Sequence, residues 1–328
     1  MNEVRLCDTR AKELSHVKDN DNIAPSMLDS VFFRPVHVPG RNWKSLVSRT
    51  EPQSVSPLAP LGIEAAMKAK EDPNSVVRPK IFDEFALTDR VGLVSGGNRG
   101  LGLEMAIALA EAGARVVYCF DLPKEPSEEF KASREYVSKL GNGSRLEYFC
   151  ADVRNQELLW KKAEEIGDKE QRFDFCIAAA GILKTHVECL EYPGQEFRDV
   201  MEANTTGVLF TAQAAGRQMA RFGRGGSIIL IASMSGRITN RVRPRVSYNT
   251  SEQRIRVNTL SPGYFYTQMT TAYLDKEPHL FDKWSGRHPL GRLGRPDELR
   301  GVVTWLASDA SSFCTGSDIL VSGGHHAW

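Results

Sequence analysis

Four glycines near residue 100 have the spacing of a turn that binds phosphate. They fall in the run Ser95-Gly96-Gly97-Asn98-Arg99-Gly100-Leu101-Gly102, which follows an apolar segment and opens a stretch rich in Ala and Leu. Glycine tolerates positive φ and lets backbone amides approach a ligand closely. The helix predicted after the turn would present free N–H groups and the positive end of its dipole to a diphosphate. A loop that needs flexible residues is the alternative interpretation.

An acidic residue lies where a bound dinucleotide would need one. Asp121 is 19 residues beyond Gly102, at the end of the second predicted strand. A carboxylate there can bind both hydroxyls of the adenosine ribose and would repel a 2′-phosphate. The alternative is an acid that begins a turn before Pro123. Because the glycine turn, the helix and Asp121 occur in register, the sequence predicts a dinucleotide site and, on charge alone, favours NAD.

The elements that must position these residues alternate along the chain. Seven strand-like runs are separated mostly by helix-like segments, and the strands are apolar throughout, as expected when both faces of a parallel sheet are covered. The predicted fold class is therefore α/β, a doubly wound parallel sheet (Rossmann fold). The strands are predicted at Val91–Val94, Arg115–Phe120, Leu146–Cys150, Phe173–Ala179, Ser227–Ala232, Arg256–Leu260 and Asp318–Val321, and the helices at Leu101–Ala112, Ser127–Leu140, Gln156–Ile166, Gln195–Arg221 and Pro296–Ser308.

The chain divides near residue 80. Residues 1–80 contain 8 of the 16 prolines and only three aromatic residues, Phe32, Phe33 and Trp43. Their segments carry Pro, Ser and Gln without sustained periodicity, which predicts a mostly extended or disordered N-terminal arm. Residues 81–328 are predicted to form a single Rossmann domain to which that arm is an extension.

The composition argues against several classes of protein. The sequence has 42 Lys and Arg against 41 Asp and Glu, a formal charge of +1, so neither nucleic acid nor an anionic membrane is an expected partner. Its longest apolar runs are far shorter than the roughly 20 residues that span a bilayer. Six cysteines without a C-x-x-C pair, and histidines without an H-x-x-x-H pair, argue against a metal site.

Cysteine usage also bears on the compartment. Free thiols in apolar runs and the lack of a secretory signal favour a reducing, cytoplasmic setting. A mitochondrial location would require translation from Met27, because residues 27–50 carry four basic residues and one acid, whereas acids interrupt the first 21 residues.

The glycine spacing G-x-x-x-G-x-G resembles the short-chain dehydrogenase/reductase family, and later segments extend the resemblance over about residues 85–328. Ala178-Ala179-Ala180-Gly181 stands where the family usually carries Asn-Asn-Ala-Gly, and Ser261-Pro262-Gly263 resembles its coenzyme-closing stretch. The pattern is similar to fungal polyol dehydrogenases and sorbose reductases. The resemblance implies a coenzyme site formed by Ser95, Gly96, Asn98, Arg99, Gly100, Leu101, Gly102, Asp121, Asp152, Val153, Ala179, Gly181, Asn204, Tyr248, Pro262, Gly263, Phe265 and Thr267.

The resemblance also implies a catalytic set for hydride transfer. Tyr248 would be the acid/base, its pKa lowered by nearby positive charge, and Ser233 would hydrogen-bond the substrate oxygen. Asn204 would fix a helix kink and a water chain for the proton. Taken singly, Ser233 could instead cap a strand end, and Asn204 could be an ordinary polar helix residue.

One position departs from the family pattern. The family places a lysine four residues after the catalytic tyrosine, where this chain has Glu252, and no lysine occurs between Lys184 and Lys276. Tyr248 is also only 10 residues before Asn258, as though one helix had been removed. A carboxylate near Tyr248 would raise the tyrosine pKa. These features predict lowered stability and weak or absent turnover, with the nucleotide-binding half intact.

Two functional hypotheses follow. The first is an NAD(P)-dependent oxidoreductase that interconverts a secondary alcohol and a ketone, either a polyol and ketose or an intermediate of specialised metabolism. The second is a catalytically inactive nucleotide-binding protein that acts by association. Whether the coenzyme is NADP(H) or NAD(H) stays open, because Arg99 stands where NADP-dependent members often carry a basic residue and Asp121 opposes it. A homo-oligomer is expected to be weakened by the missing helix.

Overall fold

The structure, a computed structural model, describes residues 58–72, 74–183, 191–234, 254–275 and 278–327. The chain divides into two compact units, Met1–Val55 and Ser56–Trp328, of which the first lies outside the described residues. Within the described ranges, no helix combines the length and apolar character needed to cross a bilayer.

The described residues contain seven strands: β1 (Val91–Ser95), β2 (Val116–Asp121), β3 (Arg145–Cys150), β4 (Phe175–Ala178), β5 (Gly226–Ile231), β6 (Ile255–Pro262) and β7 (Asp318–Val321). They form one parallel sheet in the order β3-β2-β1-β4-β5-β6-β7. The order runs outward in both directions from β1 and β4, so the first crossovers on the two sides of β1 cover opposite faces of the sheet. This confirms the predicted doubly wound α/β fold.

The helices cover both faces of the sheet. The described helices are α1 (Gly62–Glu71), α2 (Ile81–Glu84), α3 (Gly100–Glu111), α4 (Glu128–Ser138), α5 (Gln156–Glu170), α6 (Gly194–Met201), α7 (Gly207–Phe222), α8 (Gln268–Leu274), α9 (His279–Ser285) and α10 (Arg300–Ala307), with a π-helical turn at Glu202–Thr206 and 3₁₀ turns at Pro296–Leu299 and Asp309–Ser311. Apolar residues of α3, α4 and α10 pack on one face of the sheet, and those of α5 and α7 pack on the other.

Two segments predicted as single helices are each divided. The helix predicted at Gln195–Arg221 is α6 and α7 joined by the π-helical turn, and the helix predicted at Pro296–Ser308 begins with a 3₁₀ turn before α10. Apolar periodicity continues through both junctions, which is why the pattern did not separate them. The π-helical turn places one extra residue in the helix and thereby turns Asn204 toward the loop after β4.

A helix also lies inside the predicted N-terminal arm. Residues 62–71 form α1, in which Ala and Lys favour helix and Lys68 pairs with Glu64 at 2.9 Å. None of its side chains is buried, so local propensity rather than core packing accounts for it. The prediction for residues 1–57 lies outside the described residues, and the boundary near residue 80 stays a prediction.

Candidate coenzyme and active site

The predicted site residues that the structure describes lie at one edge of the sheet. Each lies at or beyond the carboxyl end of β1, β2, β3, β4, β5 or β6, or, in the case of Asn204, contacts the loop after β4. The strand ends coincide because Ser95 of β1 pairs with both Phe120 of β2 and Ala178 of β4. Ligands of open parallel sheets bind in the crevice at this edge. The fold therefore gathers segments more than 100 residues apart in sequence.

The glycine turn has the geometry of a diphosphate cradle. Gly96 and Gly100 have positive φ angles of 69° and 59°, which side chains on Cβ would oppose. A Cβ atom on Gly102 would lie 2.1 Å from the carbonyl oxygen of Gly96, so glycine is required for α3 to start this close to the turn. The first N–H groups of α3 have no acceptor within the helix, so they are available to donate hydrogen bonds to a diphosphate. Leu101 packs partly into the core below them.

The Asn98 side chain links this turn to the start of α4 and does not face the cleft. It is 5 % exposed; its Oδ1 accepts a hydrogen bond from the Ser127 backbone N–H at 2.8 Å, and its carbonyl accepts one from Ser127 Oγ at 2.7 Å. Ser127 is also the N-cap of α4, where its hydroxyl accepts from the Phe130 amide. The Asn98 side chain therefore fixes the turn, and the predicted coenzyme contact of Asn98 stays a prediction.

Asp121 lies at the end of β2, where the resemblance predicts the adenosine ribose. Its Oδ2 accepts the Asn98 backbone N–H at 3.1 Å and its Oδ1 accepts the Leu122 N–H at 2.8 Å, which fixes the carboxylate at the end of β2. Two lone pairs remain for the hydroxyls of a ribose. Arg99 is exposed in the glycine turn, so its guanidinium can move in solvent.

The segment after β3 contains an ion pair between Asp152 and Arg154. Both carboxylate oxygens of Asp152 accept hydrogen bonds from Arg154, at 2.6 to 3.1 Å. These bonds lower the pKa of Asp152 although partial burial opposes them. Val153 is buried and packs against the start of α7 at Gly207. Val153 therefore holds α7 against β3, and Arg154 neutralises the charge of Asp152.

Asn204 clamps the loop after β4. Its Oδ1 accepts the Ile182 N–H at 2.8 Å and its Nδ2 donates to the Ile182 carbonyl at 2.9 Å, so one side chain satisfies both backbone groups of one residue. Gly181 packs beside the same amide. On the other side of this loop, the Ala180 N–H donates to Ser95 Oγ at 3.2 Å. Ser95 and Asn204 thus fix the Ala179–Gly181 segment between β1 and α7.

Ser233 is placed at the carboxyl end of β5. It is exposed, and its neighbours Ala232 and Met234 donate to the carbonyls of Leu260 and Pro262 at 2.9 and 3.1 Å. The backbone beyond β5 therefore continues to pair with β6, and the side chain of Ser233 is directed away from that pairing. Tyr248 and Glu252 lie outside the described residues, so the predicted acid/base and the predicted departure from the family pattern both stay predictions.

The segment after β6 is held by close packing and by backbone hydrogen bonds. Phe265 is 5 % exposed and its ring packs in the core beside Gly294, so its side chain does not face the cleft that the resemblance assigned to it. Gly263 approaches Ser322, where a Cβ atom would lie 2.8 Å from the Ser322 Cα. Thr267 immediately precedes α8, and its carbonyl accepts the Thr271 N–H at 2.8 Å. Only backbone contacts to a coenzyme are available at Phe265.

A cavity of about 90 Å³ lies beside this segment, at the ends of β6 and β7. Tyr264 forms one wall and stacks on Trp284 with ring centroids 4.6 Å apart. Buried His288 forms another wall, and its pKa is lowered by burial and by His325 nearby. Arg292 and Glu298, which pair with each other at 2.6 Å, also line the cavity, so it offers both aromatic and charged surface to a small organic molecule.

Several residues of the site were missed by the sequence reasoning. Ser127, Ile182 and Gln268 hold the loops through contacts with Asn98, Asn204 and Glu129. Of these, Ser127 carried a usable signal, since a serine followed by two glutamates is typical of a helix N-terminus. The other two depend on contacts between segments distant in sequence. Among the described residues, no group of three or more His, Cys, Asp or Glu side chains could hold a metal ion.

Comparisons with known proteins agree with this arrangement. The family model described as short chain dehydrogenase matches residues 90–251, and one described as enoyl-(acyl carrier protein) reductase matches residues 244–326. A sorbose reductase from Schizosaccharomyces pombe is 35 % identical over 262 residues, which cover 74 % of this chain and 97 % of that protein.

Two further similarities concern polyol enzymes. A protein of Yarrowia lipolytica named as a probable NADP-dependent mannitol dehydrogenase is 32 % identical, over 81 % of this chain and 98 % of that protein. The crystal structure of an NAD⁺-bound xylitol dehydrogenase superposes with a TM-score of 0.65 at 26 % identity, covering 73 % of this chain and 99 % of that one. Because these relatives are named as reductases and dehydrogenases, they give no support to the inactive alternative. The chain belongs to the short-chain dehydrogenase family of oxidoreductases.

Proposed function

We propose that this protein is an NAD(P)-dependent oxidoreductase that interconverts a secondary alcohol and a ketone on a small hydroxyl-rich substrate of the polyol and ketose class. The observation that carries the proposal is the gathering of the glycine turn, Asp121, the Asn204 clamp and Ser233 at one edge of the sheet. The names of the relatives, a sorbose reductase and a mannitol dehydrogenase, support the substrate class.

In this proposal each described residue has a physical task. The amides at the start of α3 bind the diphosphate, and Asp121 binds the adenosine ribose. When bound, the nicotinamide coenzyme supplies the hydride that reduces the ketone. Ser233, exposed at the end of β5, donates a hydrogen bond to the substrate oxygen, and Asn204 keeps the loop after β4 in place beside it. Tyr248 would deliver the proton to that oxygen.

For the coenzyme, we propose a preference for NAD(H). The carboxylate of Asp121 is fixed by two backbone amides, so it cannot turn away from a 2′-phosphate without losing both hydrogen bonds. Arg99 is exposed and can move, and its charge is weakened by solvent. A fixed negative charge therefore outweighs a mobile positive one in the discrimination between the two coenzymes.

The proposal is tested with the purified chain in two steps. Fluorescence titration measures the Kd of NADH and of NADPH, and we expect NADH to bind more tightly. Steady-state assays then follow NADH oxidation with sorbose, fructose and other ketoses, and NAD⁺ reduction with mannitol and xylitol. We expect turnover with at least one pair, at a low rate because the segment between Tyr248 and Asn258 is short. Tight binding with no turnover in any pair would refute the oxidoreductase function, and no binding of either coenzyme would refute the whole proposal.

The variant Glu252→Lys separates two causes of a low rate. If the missing lysine charge limits the proton transfer, the variant raises kcat. If the shortened segment between Tyr248 and Asn258 limits it, the variant restores little, which is the result we expect. The formation of a homo-oligomer and the cytoplasmic location also belong to the proposal and are measured by sedimentation and by cell fractionation.

A further inference from the structure

A hydrogen bond joins two helices that are remote in the sequence and lie on opposite sides of the candidate cleft. Gln268 Nε2, in the first turn of α8, donates to Glu129 Oε1, in the first turn of α4, at 2.6 Å. The two residues are 139 positions apart and both are exposed. Because both side chains are exposed, burial does not account for their contact. The positions of α4 and α8 in the fold bring them together.

The Glu129 end of this bond is fixed to the glycine turn. Glu129 lies two residues after Ser127, the N-cap of α4, and Ser127 makes two hydrogen bonds with Asn98. Asn98 in turn donates its backbone N–H to Asp121. Glu129 is therefore held at a constant distance from the segment that would bind the diphosphate and the adenosine ribose.

The segment that leads to Gln268 is fixed to the rest of the fold at residues 264–266. Tyr266 donates to the Gly294 carbonyl at 2.8 Å, the Gly294 N–H donates to the Tyr264 carbonyl at 2.9 Å, and Phe265 packs in the core. Thr270 Oγ1 donates to the Phe265 carbonyl at 2.6 Å. Gln268 lies two residues beyond this base, where the chain leaves the sheet and starts α8.

The sheet order gives the distance between β2 and β6, the strands that precede the two residues. The segment with Gln268 follows β6, whereas α4 follows β2, and β1, β4 and β5 lie between these strands. Four strand spacings amount to about 19 Å. Glu129 and Gln268 therefore meet above the carboxyl ends of the intervening strands, where the glycine turn presents its amides. A diphosphate bound there would lie beneath the bond.

We propose that Glu129 and Gln268 form a latch that closes over the coenzyme and sets the rate at which the coenzyme leaves. The latch, meaning these two side chains and their hydrogen bond, rests on the coenzyme-binding part of the proposed function. They are positioning residues: they hold α8 against α4 and take no part in the hydride transfer. Release of the coenzyme requires the bond to break, whereas binding to the open form does not.

The test is a stopped-flow measurement of NADH release, displaced by excess NAD⁺, in the full chain and in Glu129→Ala, Gln268→Ala and the double variant. Loss of one hydrogen bond to a carboxylate is expected to raise the release rate about fivefold in each single variant and to leave the association rate unchanged. If the two residues act through one bond, the double variant releases NADH no faster than either single variant.

A matched control separates the bond from the charge. Glu128 is the neighbouring acid in the same helix turn and pairs with Lys131 of its own helix at 2.7 Å. Removal of either acid reduces the repulsion of a diphosphate, which by itself would slow release. Faster release in Glu129→Ala, with unchanged or slower release in Glu128→Ala, supports the latch. Glu129→Gln keeps an acceptor oxygen and is expected to release NADH at a rate near that of the unmodified chain.

The outcomes distinguish the two proposals. An unmodified chain that binds NADH, with release rates unaltered in Glu129→Ala and Gln268→Ala, overturns the latch and leaves the proposed function standing. Equal acceleration in Glu128→Ala and Glu129→Ala also overturns the latch, since the loss of an acid that does not bond to Gln268 would then have the same effect as the loss of one that does. Failure of the unmodified chain to bind NADH refutes the proposed function and the latch with it. Circular dichroism and thermal melts verify that each variant is folded.

Discussion

Gly102 is the residue at which one added methyl group tests the glycine turn. In Gly102→Ala the new Cβ would lie 2.1 Å from the Gly96 carbonyl oxygen, a backbone atom that can move only if the turn opens. We expect a cost of about 1–3 kcal/mol in the free energy of unfolding and a loss of NADH affinity of about tenfold or more. Urea denaturation and fluorescence titration measure the two effects.

A second glycine provides the control for this substitution. Gly216 lies inside α7, and a Cβ there would contact Ile228 Cδ1 at 3.6 Å, an ordinary van der Waals distance. Gly216→Ala is expected to stabilise the protein by roughly 0.5–1 kcal/mol, because alanine favours helix, and to leave NADH affinity unchanged. Equal losses of affinity in the two variants would contradict the role given to Gly102.

Asp121 is the residue on which the proposed coenzyme preference depends. In Asp121→Ser the fixed negative charge is lost, so repulsion of a 2′-phosphate is relieved and the bonds to the ribose hydroxyls are weakened. We expect the ratio of the Kd values for NADPH and NADH to fall by about tenfold, a change of about 1.4 kcal/mol. Titration of both coenzymes measures it, with Glu125→Ser, an exposed acid nearby, as the control. An unchanged ratio would contradict the role given to Asp121.

At the scale of elements, the π-helical turn is the feature that brings Asn204 to the loop after β4. Asn204→Ala leaves both backbone groups of Ile182 without their partner. We expect a loss of about 1–2 kcal/mol in the free energy of unfolding, and a lower kcat with little change in NADH affinity. Urea denaturation and steady-state kinetics test this. Thr205→Ala, in the same turn and exposed, is the control, and an equal effect there would contradict the clamp.

The end of α5 is held to β2 and β3 by a buried carboxylate. Glu170 is 6 % exposed and accepts hydrogen bonds from the Tyr118 hydroxyl at 2.7 Å and from Arg145. Burial opposes its charge, but these bonds outweigh burial and lower its pKa. Glu170→Gln is expected to cost about 2 kcal/mol at pH 7.

The pH dependence of this cost has a definite sign. Because the folded pKa of Glu170 lies below its ordinary value, the stabilisation is complete above about pH 4.3 and is lost as the pH falls through the folded pKa. The difference between the unfolding free energies of the unmodified chain and Glu170→Gln should therefore shrink as the pH is lowered below about 4. Glu135→Gln, whose exposed carboxylate pairs with Lys139, should leave the stability unaltered.

At the scale of the whole molecule, coenzyme binding should be visible as thermal stability. A ligand present at 100 times its Kd stabilises the folded state by about 2.7 kcal/mol, which for a domain of this size raises the Tm by about 5–10 °C. We expect this increase with NADH, a smaller one with NADPH at the same concentration, and little in Gly102→Ala. The measurement needs no turnover, so it is independent of Glu252. An unchanged Tm with NADH at millimolar concentration would argue against a coenzyme site.

The order of strands and helices was predictable because it depends on local patterns. The apolar run Val91–Val94 forms a buried strand and the Ala-rich segment Leu101–Ala112 forms most of a helix, as their composition and period indicate. The glycine turn was predictable for the same reason, since positive φ at Gly96 and Gly100 is a local requirement. The division of Gln195–Arg221 at the π-helical turn was not, because the apolar period continues through it.

The sequence by itself determined the fold class, the glycine turn and the acid at the end of β2, because each rests on spacing within one βαβ unit. The tertiary structure alone decided that the Asn98 side chain binds Ser127, that the Phe265 ring lies in the core, and that Glu129 meets Gln268. Those outcomes depend on which segments the sheet order brings together over 29 to 139 residues. Residue types and local periods carry no information about such pairings, which only the packing of the whole sheet and its helices fixes.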